Sequence, residues 1–351
     1  MKDQPGGHGP YFWAILGLGT AIIIQVAQAN SLGGLSGLIA VGKTSALLPV
    51  IQQELPHLVV TDGEGHDGQV TYALGLDPWA TWGPGVVPEA PYRYRRILMS
   101  VVASGFGTID GQPLLWLLTL LNAIGFACTA VFAAAIAKVR SMPRWAALAA
   151  TLNIGLWLSL QITSPDALAF ALGLAGVAAH LRRRDLLAVI CLSLAALAKE
   201  TYLLIPLSLM IHAWFVQRDN RRAVLLSAGL VPPVLWSAFL ALRIGDPLGT
   251  GGNLTWPFVG IVDAAGFWGG NPSREMFLLG ITAVIIFSSV LLIIKSPQSI
   301  WAWLALPWLL LGAISSHWIW DLGNNAVRAF LPLMTFAAFG FMDKSGRVAA
   351  T

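Results

Sequence analysis

Charge is what this chain has least of: Asp, Glu, Lys and Arg make up 11% of its 351 residues, against 56% hydrophobic ones. Soluble domains carry about 25% charged and 45–50% apolar residues, so a soluble globular domain is excluded. Cysteine is equally scarce. Cys128 and Cys191 both lie inside apolar blocks, where neither a disulfide framework nor a cysteine metal site can be built from them. A P-loop, a dinucleotide-type glycine spacing, a His/Glu metalloprotease motif and a G-x-S-x-G elbow are all missing. Nucleotide-driven, metalloprotease and α/β-hydrolase chemistry therefore have no sequence basis. No compact carboxylate or histidine set makes a metal necessary, and no cofactor is required.

What is present is a succession of nearly uncharged blocks, which suit helices crossing a hydrocarbon layer roughly 30 Å thick and not the alternation of a barrel. The spans fall at about 11–29, 113–137, 145–162, 165–181, 185–198, 202–216, 222–242, 276–294, 299–316 and 325–342. The expectation is an all-α polytopic membrane protein of about ten transmembrane helices, forming one membrane domain over 1–351. It divides into a first helix (11–29), a first extracytoplasmic loop with interfacial helices (30–112), core helices (113–242), a second outer loop (243–275) and C-terminal helices (276–342). An A-x-A-like triplet at 27–29 resembles a signal cleavage site, but the weakly charged start favours an uncleaved helix.

The basic residues fix the orientation. Most of the 21, from Lys2 to Arg347, flank inner helix ends, as the positive-inside rule requires, so the net charge of +4 reports topology and calls for no nucleic-acid partner. Eight fall on the outer side: Lys43, Arg93, Arg95, Arg96, Lys199, Arg243, Arg274 and Arg328. The run 185–216 has basic clusters at both ends, so it must double back at "AKETY". Residues 31–51, with four glycines and Lys43, read better as an interfacial or re-entrant helix than as a span.

The outer side also gathers acid. In "TDGEGHDGQVTYALGLDP" the residues Asp62, Glu64, His66 and Asp67 precede a short helical pattern from about Gln69 to Leu76. Asp67 suits either a helix N-cap or a general base in a cleft, with Asp62 and Glu64 near enough to replace or tune it. In "YRYRR", Arg93, Arg95 and Arg96 interleave with Tyr92 and Tyr94, which suits either an anionic head group or interfacial anchoring. Lys199 and Glu200 follow a helix of only about 14 residues, roughly 21 Å of rise, so the pair lies below the outer rim, facing a polar cavity or snorkelling out of a turn. His317, Asn324 and Arg328 cluster in the last outer loop, and Arg328 sits about one turn inside the final helix. Asp166 opens a helix on the same side, where capping is at least as good a reading as substrate contact. A base, several phosphate-compatible cations and aromatic rings suit transfer from a membrane-embedded donor that carries its own leaving group.

The motifs "GHDGQVTYALGLDP", "APYRYRRIL", "SPDALAFALGLAGV", "LAALAKETYLLIPL" and "NNAVRAFLPL" together resemble bacterial GT-C-type membrane glycosyltransferases. The resemblance runs from about residue 11 to 341. It implies inverting transfer of a sugar from a polyprenyl-phosphate donor to an extracytoplasmic hydroxyl of a glycan, glycolipid or protein acceptor. The setting it implies is cell-envelope glycan synthesis at the bacterial inner membrane, among membrane lipids. The base falls on Asp67, with Gln69 in the same motif and Tyr72 as the ring nearest it. His66 and the pair Val70-Thr71 replace aromatic residues of the pattern, and the expectation is of a chain short for the pattern and without a soluble C-terminal domain. Two other classes compete: a transporter or flippase of an anionic lipid-linked substrate, and a noncatalytic assembly factor for envelope polysaccharide.

Overall fold

The computed structural model describes residues 9–245 and 252–343. Lys2, Lys344 and Arg347, three of the expected inner basic residues, lie outside the described residues, as does 246–251 of the expected second outer loop. Within the described residues the regular structure is helical apart from two short strands, Val41–Gly42 and Val60–Thr61, which pair in parallel.

Among the described residues four helices are long and apolar enough to cross a membrane: Pro10–Leu32, Gly111–Val139, Asn220–Ile244 and Ser273–Lys295. A fifth forms if Gly323–Ala329 and Leu331–Met342, bent by 56°, count as one span. Among the other expected spans, Asp166–Leu181, Asp185–Ala198 and Ile300–Ile314 are shorter apolar helices. The expected span 145–162 is broken at Asn153, whose carbonyl oxygen caps Gly155 while its amide donates to Leu331 O at 2.8 Å. A buried side chain that satisfies two backbone groups makes the break affordable where hydrocarbon offers no water. Residues 31–51 form neither a span nor one interfacial helix. Gly33 and Ala40 take positive φ, and the segment divides into a turn of 3₁₀ helix, a strand and the helix Leu48–Glu54.

Helix contacts rely on small residues. A Cβ on Gly125 would sit 2.7 Å from the Leu168 backbone nitrogen, so Gly111–Val139 and Asp166–Leu181 meet backbone to backbone. Close approach of this kind, and not a hydrophobic driving force, is what holds helices together in lipid. Large apolar side chains such as Ile23, Leu235, Leu242, Val284, Phe287 and Ile294 remain exposed on the long helices, the opposite of a water-soluble surface.

The run 185–216 does turn back. Helix Asp185–Ala198 ends at an extended Lys199 and Leu204–Phe215 follows, while Arg222–Asp185 at 2.8 Å and Arg183–Asp219 at 3.7 Å join its two flanking basic clusters. Asp166 lies at the other end of helix Asp166–Leu181, roughly 24 Å away at 1.5 Å per residue. At that end the first long loop folds into a cap with its own core. Ile39, Val41, Ile51, Tyr72, Tyr94 and Met99 pack with Leu114 and Leu118 of the following helix.

Candidate functional site

Asp67 is placed by a clamp of close backbone contacts. The loop before it bridges to the first strand, Val41 against Gly65, and His66 N donates to Ala40 O at 3.0 Å. Gly68 is pressed against the turn after Gln161: a Cβ there would lie 2.2 Å from Ile162 O. Gln69 completes the clamp, donating to Glu64 O at 2.7 Å and accepting from Gly42 N at 3.3 Å. The helix begins at Asp67, two residues earlier than its pattern predicts, with His66 at the N-cap and no side-chain cap. The capping reading of Asp67 therefore fails, and its carboxylate turns to arginines instead.

"YRYRR", "AKET" and "NNAVR" meet around that carboxylate. Arg93 donates to Asp67 Oδ1 at 3.0 Å, Arg328 to Oδ2 at 2.9 Å, and Arg96 lies 3.9 Å away. The same Arg328 nitrogen donates to Asp166 Oδ2 at 2.9 Å, and Lys199 pairs with Asp166 Oδ1. Arg96 grips Glu200 with two donors at 2.8 Å, hydrogen-bonds the Tyr92 hydroxyl and lies 4.7 Å over the Tyr92 ring. Lys199 and Arg328 are 9% and 7% exposed, so neither reaches into lipid. Snorkelling does not describe Lys199.

Of these groups all but Asp166 line a cavity of about 810 Å³ that also takes in Glu64, Glu89, Tyr92, Arg95 and Asn325, with Leu203, Leu204, Pro233, Leu254 and Leu311 among its apolar lining residues. A second cavity of about 420 Å³, lined by Thr44, Ser45, His66 and Gln69, shares Glu64, Asp67, Arg93, Asn325 and Arg328 with the first. Asp67 thus belongs to the wall of both.

Other expected site residues lie elsewhere. Asp62 is paired with Lys43 at 2.7 Å on the surface. Tyr72 is not the ring nearest the base: it is fully buried in the cap core and donates to Gly111 O at 3.1 Å. Tyr94 is buried too, donating to Asp77 Oδ2 at 2.6 Å. His317 stacks on Phe267, and Asn324 offers its backbone N–H to Glu275 at 2.8 Å, whereas its neighbour Asn325 lines both cavities. The ring beside the cations is Tyr92.

Asp166 is more central than its place at a helix start suggests, since it pairs with both Lys199 and Arg328. Its side chain does not cap its helix. It accepts from Ser164 at 2.7 Å and Ser159 at 3.1 Å as well as from the two cations. The available signal was electrostatic: two cations below the rim require a buried acid, and "SPD" opens a helix on their side. Just before it Thr163 adopts φ 46° with its buried hydroxyl unpartnered, a strained position for a β-branched residue.

Burial pushes the Asp67 carboxyl up, but Arg328, Arg96, Arg93 and Lys199 outweigh it and hold the group well below the usual carboxylate range. Burial and Arg328 push the His66 imidazole down against the pull of Asp67, so His66 is neutral at neutral pH. Among the described residues, no group of three or more His, Cys, Asp or Glu is placed to hold a metal ion. No protein-family model, curated protein or solved structure matches the chain.

Proposed function

We propose that the chain is an inverting GT-C-type glycosyltransferase of the bacterial inner membrane. On this reading it crosses the membrane about ten times and works on the outer face, moving a sugar from a polyprenyl-phosphate donor to an acceptor hydroxyl. The observation that carries the reading is the pairing of Asp67 with a cation cluster in one cavity that is also lined by apolar residues. The cations suit a phosphate, the apolar lining residues suit the start of a prenyl chain, and the smaller polar cavity suits a hydroxylated acceptor. Asp67 stands between the two.

In the reaction the acceptor oxygen attacks the anomeric carbon on the face opposite the phosphate. The bond from that carbon to the phosphate oxygen breaks, its electron pair leaves with the phosphate, and the acceptor proton passes to Asp67. A phosphate leaves without a strong general acid when Arg93, Arg96 and Arg328 stabilise its growing charge. Arg, with its planar fork, suits that task better than Lys.

The test is turnover by the purified chain in proteoliposomes, using short-chain polyprenyl-phosphate hexoses and pentoses with donor and acceptor confined to one leaflet. Released polyprenyl phosphate is the readout, so that hydrolysis counts where the acceptor is wrong. Asp67→Asn should reduce release by about 10²–10⁴-fold, the usual contribution of a general base. Lipid movement between leaflets without release would favour a flippase.

A further inference from the structure

The cations at the centre of the larger cavity are already engaged. Arg93 is shared between Asp67 at 3.0 Å and Glu89 at 3.3 Å, Arg96 is held by Glu200 at 2.8 Å, and Lys199 is committed to Asp166. Arg328 differs in one respect. One terminal nitrogen serves both Asp67 and Asp166, at 2.9 Å each, while its Nε is buried with no hydrogen-bond partner. A buried guanidinium N–H without an acceptor is costly, and an entering anion can satisfy it.

The two carboxylates that share Arg328 are not equivalent. Asp166 is 2% exposed and is held by Lys199, Ser159 and Ser164 as well. Asp67 is 27% exposed, belongs to the wall of both cavities, and its two oxygens accept from Arg93 and Arg328. An anion competing for these arginines therefore displaces Asp67 first, because the more accessible carboxylate regains water when it lets go.

We propose that Asp67 is the resident counter-ion of the phosphate site. The donor phosphate takes Arg93 and Arg328 from it, and the carboxylate so released accepts the proton of the acceptor. This rests on the transferase reading and adds an order to it: donor binding precedes deprotonation of the acceptor. In the resting site, surrounded by cations that favour its charged form, Asp67 is a weak base. Loss of two guanidinium partners restores its proton affinity. The coupling is reciprocal, so removing the Asp67 charge must strengthen anion binding.

The experiment is calorimetric titration of the full chain in detergent micelles with farnesyl phosphate, inorganic phosphate and farnesol. Asp67→Asn should bind farnesyl phosphate about tenfold more tightly than the wild type, about 1.4 kcal/mol. Glu89→Gln removes a charge from the same Arg93 without freeing Arg328, and should change affinity by less than about threefold, about 0.7 kcal/mol. Asp67→Ser should match Asp67→Asn and serves if the asparagine variant does not fold. A gain for farnesyl phosphate alone supports exchange by a lipid headgroup. A gain for inorganic phosphate as well supports exchange by the phosphate group itself. The transferase reading depends on turnover and is untouched by a failure here. Equal gains in Asp67→Asn and Glu89→Gln, a gain shared by farnesol, or no gain in a folded Asp67→Asn protein would each overturn the exchange.

Discussion

Asp67 and Asp166 carry the same charge and share one arginine nitrogen, yet their surroundings assign them different work. Asp166, almost fully buried, is the permanent counter-ion of Lys199 and Arg328. Asp166→Asn should therefore lower stability by about 3–5 kcal/mol, the usual cost of breaking a buried pair from one side, read as a fall in melting temperature in detergent. Asp67→Asn should cost clearly less, since Arg328 keeps Asp166. The folded-state carboxyl of Asp67 lies below its unfolded value of about 3.9. Its pairing therefore contributes fully above about pH 4 and is lost only as pH falls through the lower folded value. The melting-temperature difference between wild type and Asp67→Asn should accordingly be the same at pH 5 and pH 7. At this scale Lys199 and Arg328 were legible because ionisable residues at the ends of apolar blocks are rare in so apolar a chain. Tyr72 was misread because motif position does not report which way a ring points, and it points into the cap.

At the scale of elements, the helix that carries Asp67 depends on the glycine after it. Gly68→Ala would bring a Cβ to 2.2 Å from Ile162 O and 2.9 Å from Ile39 Cα, contacts with backbone that cannot turn aside. It should cost about 1–3 kcal/mol, as overpacking does, and shift Asp67 from Arg328. Donor turnover by Gly68→Ala should then fall with that of Asp67→Asn, while Gly63→Ala, where a Cβ meets open space but φ is +79°, should be strained without moving Asp67. Comparison of the two rates checks this. The short helix from about Gln69 and the turn at "AKETY" were legible from apolar period and charge placement. The break at Asn153 was not, because an asparagine inside an apolar block announces its backbone partners, Gly155 and Leu331, only once the fold brings them near. The division of 31–51 likewise depends on pairing with Val60 and Thr61, which no local pattern contains.

Across the whole molecule, hydropathy reads composition and the fold decides length. Among the described residues four helices are long enough to cross a membrane singly and a bent pair makes a fifth, while the shorter Asp185–Ala198 packs against the longer Asn220–Ile244. The proposed orientation is testable with single cysteines in a background lacking Cys128 and Cys191. Asp62→Cys should react with a membrane-impermeant maleimide in intact spheroplasts, and Arg183→Cys only after the inner membrane is opened; the reverse pattern would invert the topology. The site joins Asp67, Asp166, Lys199 and Arg328, which come from four separate parts of the chain, so only the complete fold builds it. The most direct measurement is a cryo-EM structure with a non-transferable polyprenyl-phosphate analogue bound. The proposed site places its phosphate against Arg328 and Arg93, with the Asp67 carboxylate released toward the smaller cavity and the prenyl chain along Leu204 and Leu311. A phosphate bound away from these arginines, or a cavity that leaves the analogue out altogether, would contradict it.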